Sequence, residues 1–92
     1  MSKEKAITYI NRAKEQLSDD LLTVRFCQMA CDNLDKALKE LKEEAISKTY
    51  IKQKLEESLN YLDATVGITD YCNYNIDSVK DLLYQLIKKL ED

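Results

Sequence analysis

Three cysteines are the residues whose type and spacing could do chemistry here. Cys27 and Cys31 stand four residues apart, which on a helix places them one turn apart on one face. Cys72 falls on the corresponding seam of a later segment. Thiolates on one face could hold a soft metal or form a redox pair. Zinc asks for four ligands, and the chain has no histidine, so Asp, Glu or water would have to complete the set. A disulfide between i and i+4 of a regular helix is strained, because the Cα separation nears the limit of what the bond spans. Cysteine also packs as a small apolar residue and is among the most buried types. We therefore read Cys27, Cys31 and Cys72 as core positions first and as candidate thiolates second. No metal and no cofactor is expected.

The elements that must position these residues are helices. Val24, Cys27, Cys31, Leu34, Leu38, Leu41 and Ala45 step three and four in alternation, a heptad stripe. Ala6, Ile10, Ala13 and Leu17 make a second stripe, and Ile51, Leu55, Leu59, Leu62 and Val66 a third. Cys72, Ile76, Val79, Leu83, Leu86 and Leu90 make the fourth. With no proline and a single glycine the chain has few turn signals. The fold class expected is all-α: one domain, 1–92, an antiparallel bundle of four helices at about 3–17, 20–46, 50–66 and 69–91.

Three junctions separate them. Ser18-Asp19-Asp20 are good N-cap residues and suit a break. The heptad phase nevertheless runs unbroken from Ala6 to Val24, so the alternative is a single long helix through that point. At Ser47-Lys48-Thr49 the phase slips, which a reversal explains. Gly67 follows Val66 where a helix ending in a left-handed residue favours glycine.

The formal charge is −3, and no segment is strongly basic, so a nucleic-acid partner is not expected. Only a dimer gathering Lys3, Lys5, Arg12 and Lys14 from two chains would make a weak basic patch. The opening MSKEKAITYINRAKEQ lacks an apolar run of signal-peptide length, and nothing approaches the roughly 20 apolar residues of a membrane span. A cytoplasmic protein is expected, in keeping with an odd number of cysteines.

Enzymatic signatures are missing. A di-iron bundle needs Glu-x-x-His pairs and a histidine phosphotransfer domain needs its acceptor, and the chain has no histidine for either. No serine stands beside a possible base, and no glycine-rich loop could cradle phosphate. What remains is apolar and aromatic surplus. Phe26 and Met29 lie off the seam of the second helix, and Tyr71 and Tyr74 lie in an otherwise polar stretch. Such side chains suit partner grooves, so Phe26, Met29, Tyr71 and Tyr74 are the candidate protein-binding residues.

No family motif can be quoted from the chain. In size, in the long second helix and in the cysteines it carries, the chain is similar to copper-sensing helical repressors. The histidine ligand of that family has no counterpart here. Size and expected architecture are also similar to those of bacteriocin immunity proteins, a likeness of fold alone. The function expected is a small non-catalytic interaction or regulatory module that binds another protein. A thiol-based metal or redox sensor and an immunity-type binding protein are the alternatives.

Self-association is expected from helix lengths. A second helix of about 26 residues would run about 39 Å, against about 22 Å for the first. Its stripe continues to Leu41 and Ala45, and a second copy of the chain would cover that end. The expectation is a homodimer with the second helix at or near the interface.

Overall fold

The computed structural model describes residues 3–17, 25–65 and 73–91, with the backbone alone at 65 and 73–75. The described residues form four helices: α1 Lys3–Leu17, α2 Arg25–Leu41, α3 Lys48–Thr65 and α4 Asn73–Glu91. The described residues contain no strand.

Helix packing runs round a ring: α1 on α2, α2 on α3, α3 on α4 and α4 back on α1, with the α2–α3 pair the most extensive. Cross-helix contacts fix the directions. Ala30 meets Ser58 and Phe26 meets Tyr61, so a step down α2 is a step up α3. Lys52 pairs with Glu91 and Lys80 with Asp63, which sets α3 antiparallel to α4. The Lys3 ammonium reaches the Glu43 carbonyl beyond the end of α2, so α1 and α2 are antiparallel too. A single helix running from α1 into α2 is thereby excluded. The chain reverses between Leu17 and Arg25, although Ser18-Asp19-Asp20 themselves lie outside the described residues, as does Gly67.

The core is the four stripes turned inward. Ile10, Leu17, Leu34, Leu41, Ile51, Leu55, Leu62, Ile76, Leu83 and Leu86 are the largest of its fully buried side chains. Apart from the buried Asn33 and Ser58, polar and charged residues are left toward the outer faces, as an amphipathic helix requires. The radius of gyration is 12.5 Å, close to the roughly 12 Å of a compact chain of this length.

The second helix departs from expectation at its end. α2 stops at Leu41, not near 46, and Ala45 is exposed outside any helix. Two backbone bonds explain the stop. The amides of Lys42 and Glu43 reach back only three residues, to the carbonyls of Lys39 and Glu40, at 3.1 Å each. That tightening closes the last turn, and the connection beyond it is tied down by two further bonds. Lys3 Nζ donates to the Glu43 carbonyl at 2.8 Å, and the Ser47 amide donates to Glu40 Oε1 at 3.1 Å. Leu41 is itself 1 % exposed, covered by its own chain. The uncovered overhang that motivated the homodimer is therefore not there.

The third helix begins at Lys48, two residues before the expected 50, because Ser47 caps it. Its hydroxyl accepts the Tyr50 amide at 3.2 Å, and its carbonyl accepts the Ile51 amide at 3.1 Å.

Candidate functional site

The cysteines separate by depth. Cys27 is fully buried within the core stripe, while Cys31, one turn on, is only partly buried. Cys31 lines an open groove of about 690 Å³ between α1 and α2, together with Asn11, Lys14, Glu15, Gln28, Asp32 and Asp35. The Lys14 ammonium bridges this groove to the Asp35 carboxylate. Burial pushes the Cys31 thiol up to about 11, and the negative charge of Asp35 adds to the effect. A nucleophilic or metal-binding cysteine needs the opposite setting, in which cations lower the thiol. Among the described residues no group of three or more Cys, Asp or Glu is arranged to hold a metal ion. Cys72, the third candidate ligand, lies outside the described residues.

The aromatic candidates converge on the seam between α2 and α3. The Phe26 and Tyr61 rings stack across it with centroids 6.4 Å apart and planes 22° from parallel. Both rings are half-buried, so each leaves an edge in solvent. Met29, also half-buried, stands one turn from Phe26 on α2. It lines a groove of about 210 Å³ with Asp32, Asn33, Lys36, Glu57 and Tyr61. Asn33 is 6 % exposed and holds the groove's floor by donating from Nδ2 to the Met29 carbonyl at 3.3 Å. The rim is charged, with Glu57 paired to Lys54 at 3.1 Å. Met29 and Tyr61 are thus the two less polar side chains of a groove that is otherwise lined by polar and charged residues.

The structure thus brings Phe26 and Met29 together and adds Tyr61, whose neighbourhood no local pattern reveals. Tyr61 is 35 positions from Phe26, and only the antiparallel register of α2 and α3 joins them. Tyr71 lies outside the described residues. Tyr74 belongs to α4, and its side chain is not described. Tyr84, also on α4, is 53 % exposed.

No described helix is long and apolar enough to cross a membrane. Comparison of the chain with family models, with curated proteins and with solved structures finds no match in any of the three. The fold and the seam therefore define the class on their own terms: an up-down-up-down four-helix bundle.

Proposed function

We propose that the chain is a non-catalytic interaction module that binds another protein along the α2–α3 seam, with Phe26, Met29 and Tyr61 as its apolar anchors. The observation that carries this reading is the Phe26–Tyr61 stack, held half out of the core beside Met29. Two rings and a thioether at a helix–helix seam offer contact area at small entropic cost, because the stack already limits their rotamers. A second copy of the chain is one occupant the seam accommodates, and it would place α2 at the interface. The cytoplasm, where cysteines stay reduced, suits such a module.

Affinity capture from the native host, with the intact chain and its Met29→Glu variant side by side, tests the reading. Met29 is partly exposed, so the variant keeps the fold, and circular dichroism checks that. The expected result is a protein retained by the intact chain and lost with Met29→Glu. Light scattering at about tens of micromolar separates a second copy from a different protein. Capture that survives both Met29→Glu and Tyr61→Ala, or turnover of a small molecule by the purified chain, would overturn the proposal.

A further inference from the structure

The outward crest of α2 carries its charges in a particular order. Arg25, Met29, Asp32, Lys36 and Lys39 step four, three, four and three along the helix, so they form one strip. That strip lies opposite the buried Cys27, Leu34, Leu38 and Leu41. Asp32 lines both the groove shared with α1 and the groove shared with α3, which puts it at the top of the crest. Glu43 follows in the tightened turn past Leu41. All of these but the half-buried Met29 are exposed.

On the flanks of the bundle, charges meet partners across the seams. Lys14 bridges to Asp35, Lys52 to Glu91 and Lys80 to Asp63, and Lys89 Nζ donates to the Tyr9 hydroxyl at 2.9 Å. The crest differs. Among the described residues no salt bridge involves Arg25, Asp32, Lys36, Lys39 or the Glu43 carboxylate. Asp32 and Lys36 stand at i,i+4 spacing and still do not close on one another.

The signs are ordered about Leu34. Asp32 and Lys36 lie two residues either side of it, Met29 and Lys39 five, and Arg25 and Glu43 nine. Two of these couples join opposite charges. The third sets Met29 against a lysine, whose methylene stem packs on apolar surface while its ammonium stays in water. Helices that run in opposite directions across a two-fold axis set such equidistant positions face to face, and each contact is made twice. We propose that the crest of α2 docks a second copy of this chain, antiparallel, with Asp32 of each copy on Lys36 of the other, Arg25 on Glu43, and Met29 on the Lys39 stem.

The order of signs is what selects this occupant. A parallel pairing would set Asp32 on Asp32 and Lys36 on Lys36, and like charges so placed repel. An acidic segment or a nucleic acid meets Asp32 and Glu43, and a basic segment meets Arg25, Lys36 and Lys39. A partner with the reversed order of signs satisfies the whole strip, and this chain carries that order itself. Asp35, on the α1 flank of the crest, is already answered by Lys14. Exposed ion pairs are individually weak, so the dimer is weak and sensitive to salt. Of the anchors on the α2–α3 seam, this surface shares only Met29.

Sedimentation equilibrium of the full chain, from about 10 µM to about 1 mM at about 20 mM salt, is the test. The expected result is a mass that climbs from one chain toward two, with affinity about tenfold lower at about 300 mM salt. Asp32→Lys and Lys36→Asp both fall on exposed residues, so circular dichroism should not change, while self-association drops about tenfold or more in each. Mixed in equal amounts, these two variants should associate again, because the lysines of one copy then face the aspartates of the other. The double variant, Asp32→Lys with Lys36→Asp, should self-associate as the intact chain does. Tyr61→Ala, on the seam but off the crest, should leave the dimer as it is. One-chain mass across the whole range at low salt overturns the proposal. So does a dimer indifferent to the single reversals, a mixture of the two that stays monomeric, or loss of the dimer with Tyr61→Ala. A monomeric chain that still captures a different protein through Met29 and Tyr61 overturns the second copy and leaves the seam reading standing.

Discussion

The Ser58 hydroxyl on α3 lies 3.1 Å from the Ala30 carbonyl on α2 and 2.9 Å from the Lys54 carbonyl of its own helix. One proton is shared between two acceptors at a fully buried point. The contact depends on size as much as on bonding. Ala30 is fully buried, and so is Ala37 two turns along on the same edge of α2. A small residue on each side lets the two backbones approach, and α2–α3 is the most extensive of the helix pairs.

Two substitutions at this point should therefore differ in kind. Ser58→Ala removes a hydrogen bond but leaves the space, and the Ala30 carbonyl keeps its place in the α2 ladder. The cost should be about 1 kcal/mol. Ser58→Leu forces the helices apart and should cost about 1–3 kcal/mol. Urea unfolding of the two variants checks the order, and equal costs would mean that bonding rather than closeness holds the seam.

The Phe26–Tyr61 stack can be measured as a coupling. Its centroid distance and small interplanar angle belong to the offset-stacked range. A double-mutant cycle with Phe26→Ala and Tyr61→Ala should give an interaction of about 0.5–1.5 kcal/mol, toward the lower end because both rings are half-exposed. Additive single costs would mean that the rings pack independently. If the seam binds a partner as proposed, the same cycle measured on binding should show the two residues acting together.

The end of α2 and the start of α3 give a third measurement. Ser47 is the N-cap of α3, so Ser47→Ala should destabilise the chain by about 1 kcal/mol and Ser47→Asp should restore most of it. Thermal unfolding followed by circular dichroism reads both. Full stability in Ser47→Ala would mean that the tertiary contacts of the connection hold α3 without the cap.

The same region shows what the sequence could and could not reveal. The inward residues were legible because each stripe repeats at helical spacing, and spacing alone decides which face of a helix is buried. Ala6, Ile10, Leu34, Leu55 and Val79 are all in the core for that reason. The stop at Leu41 was not legible. Lys42-Glu43-Glu44-Ala45 are good helix formers with no glycine or proline, and Ala45 even keeps the heptad phase. The last turn tightens onto the Lys39 and Glu40 carbonyls, and the connection past it is held by Glu40 on the Ser47 amide and by the Lys3 ammonium on the Glu43 carbonyl, from 40 residues away. Tertiary partners outweigh propensities worth tenths of a kcal/mol per residue. The Lys89–Tyr9 pair was hidden for the same reason. Cys27 was legible as core stripe, and Asp35 as a neighbour of Cys31 at i,i+4 spacing, whereas the partial exposure of Cys31 in the groove between α1 and α2 followed only from how the helices pack.

Cys31 supplies the last prediction, and it bears on the thiol-sensor alternative. Burial, then Asp35 and Cys27, raise its pKa from 9.0 to about 11, against a smaller opposing pull from Lys14. At about pH 8 the native thiol should hold roughly a hundredth of the thiolate an unperturbed cysteine holds, and alkylate about a hundredfold more slowly than in the unfolded chain. Peptide mapping by mass spectrometry assigns the rate to Cys31 apart from the other two cysteines. Asp35→Asn removes a raising charge and should speed the reaction, whereas Lys14→Gln should slow it. Stability follows the same sign. Below pH 9 both the folded and the unfolded thiol keep their proton, and the contribution is fully present. Between 9 and about 11 the unfolded chain gives up its proton first, so stability falls as pH rises through that window. A Cys31→Ala variant should therefore lose less stability across it than the intact chain, with urea unfolding at several pH values as the measurement. Rapid alkylation of Cys31 in the folded chain near neutral pH, with no extra loss of stability above pH 9, would restore a reactive thiol and with it the sensor reading.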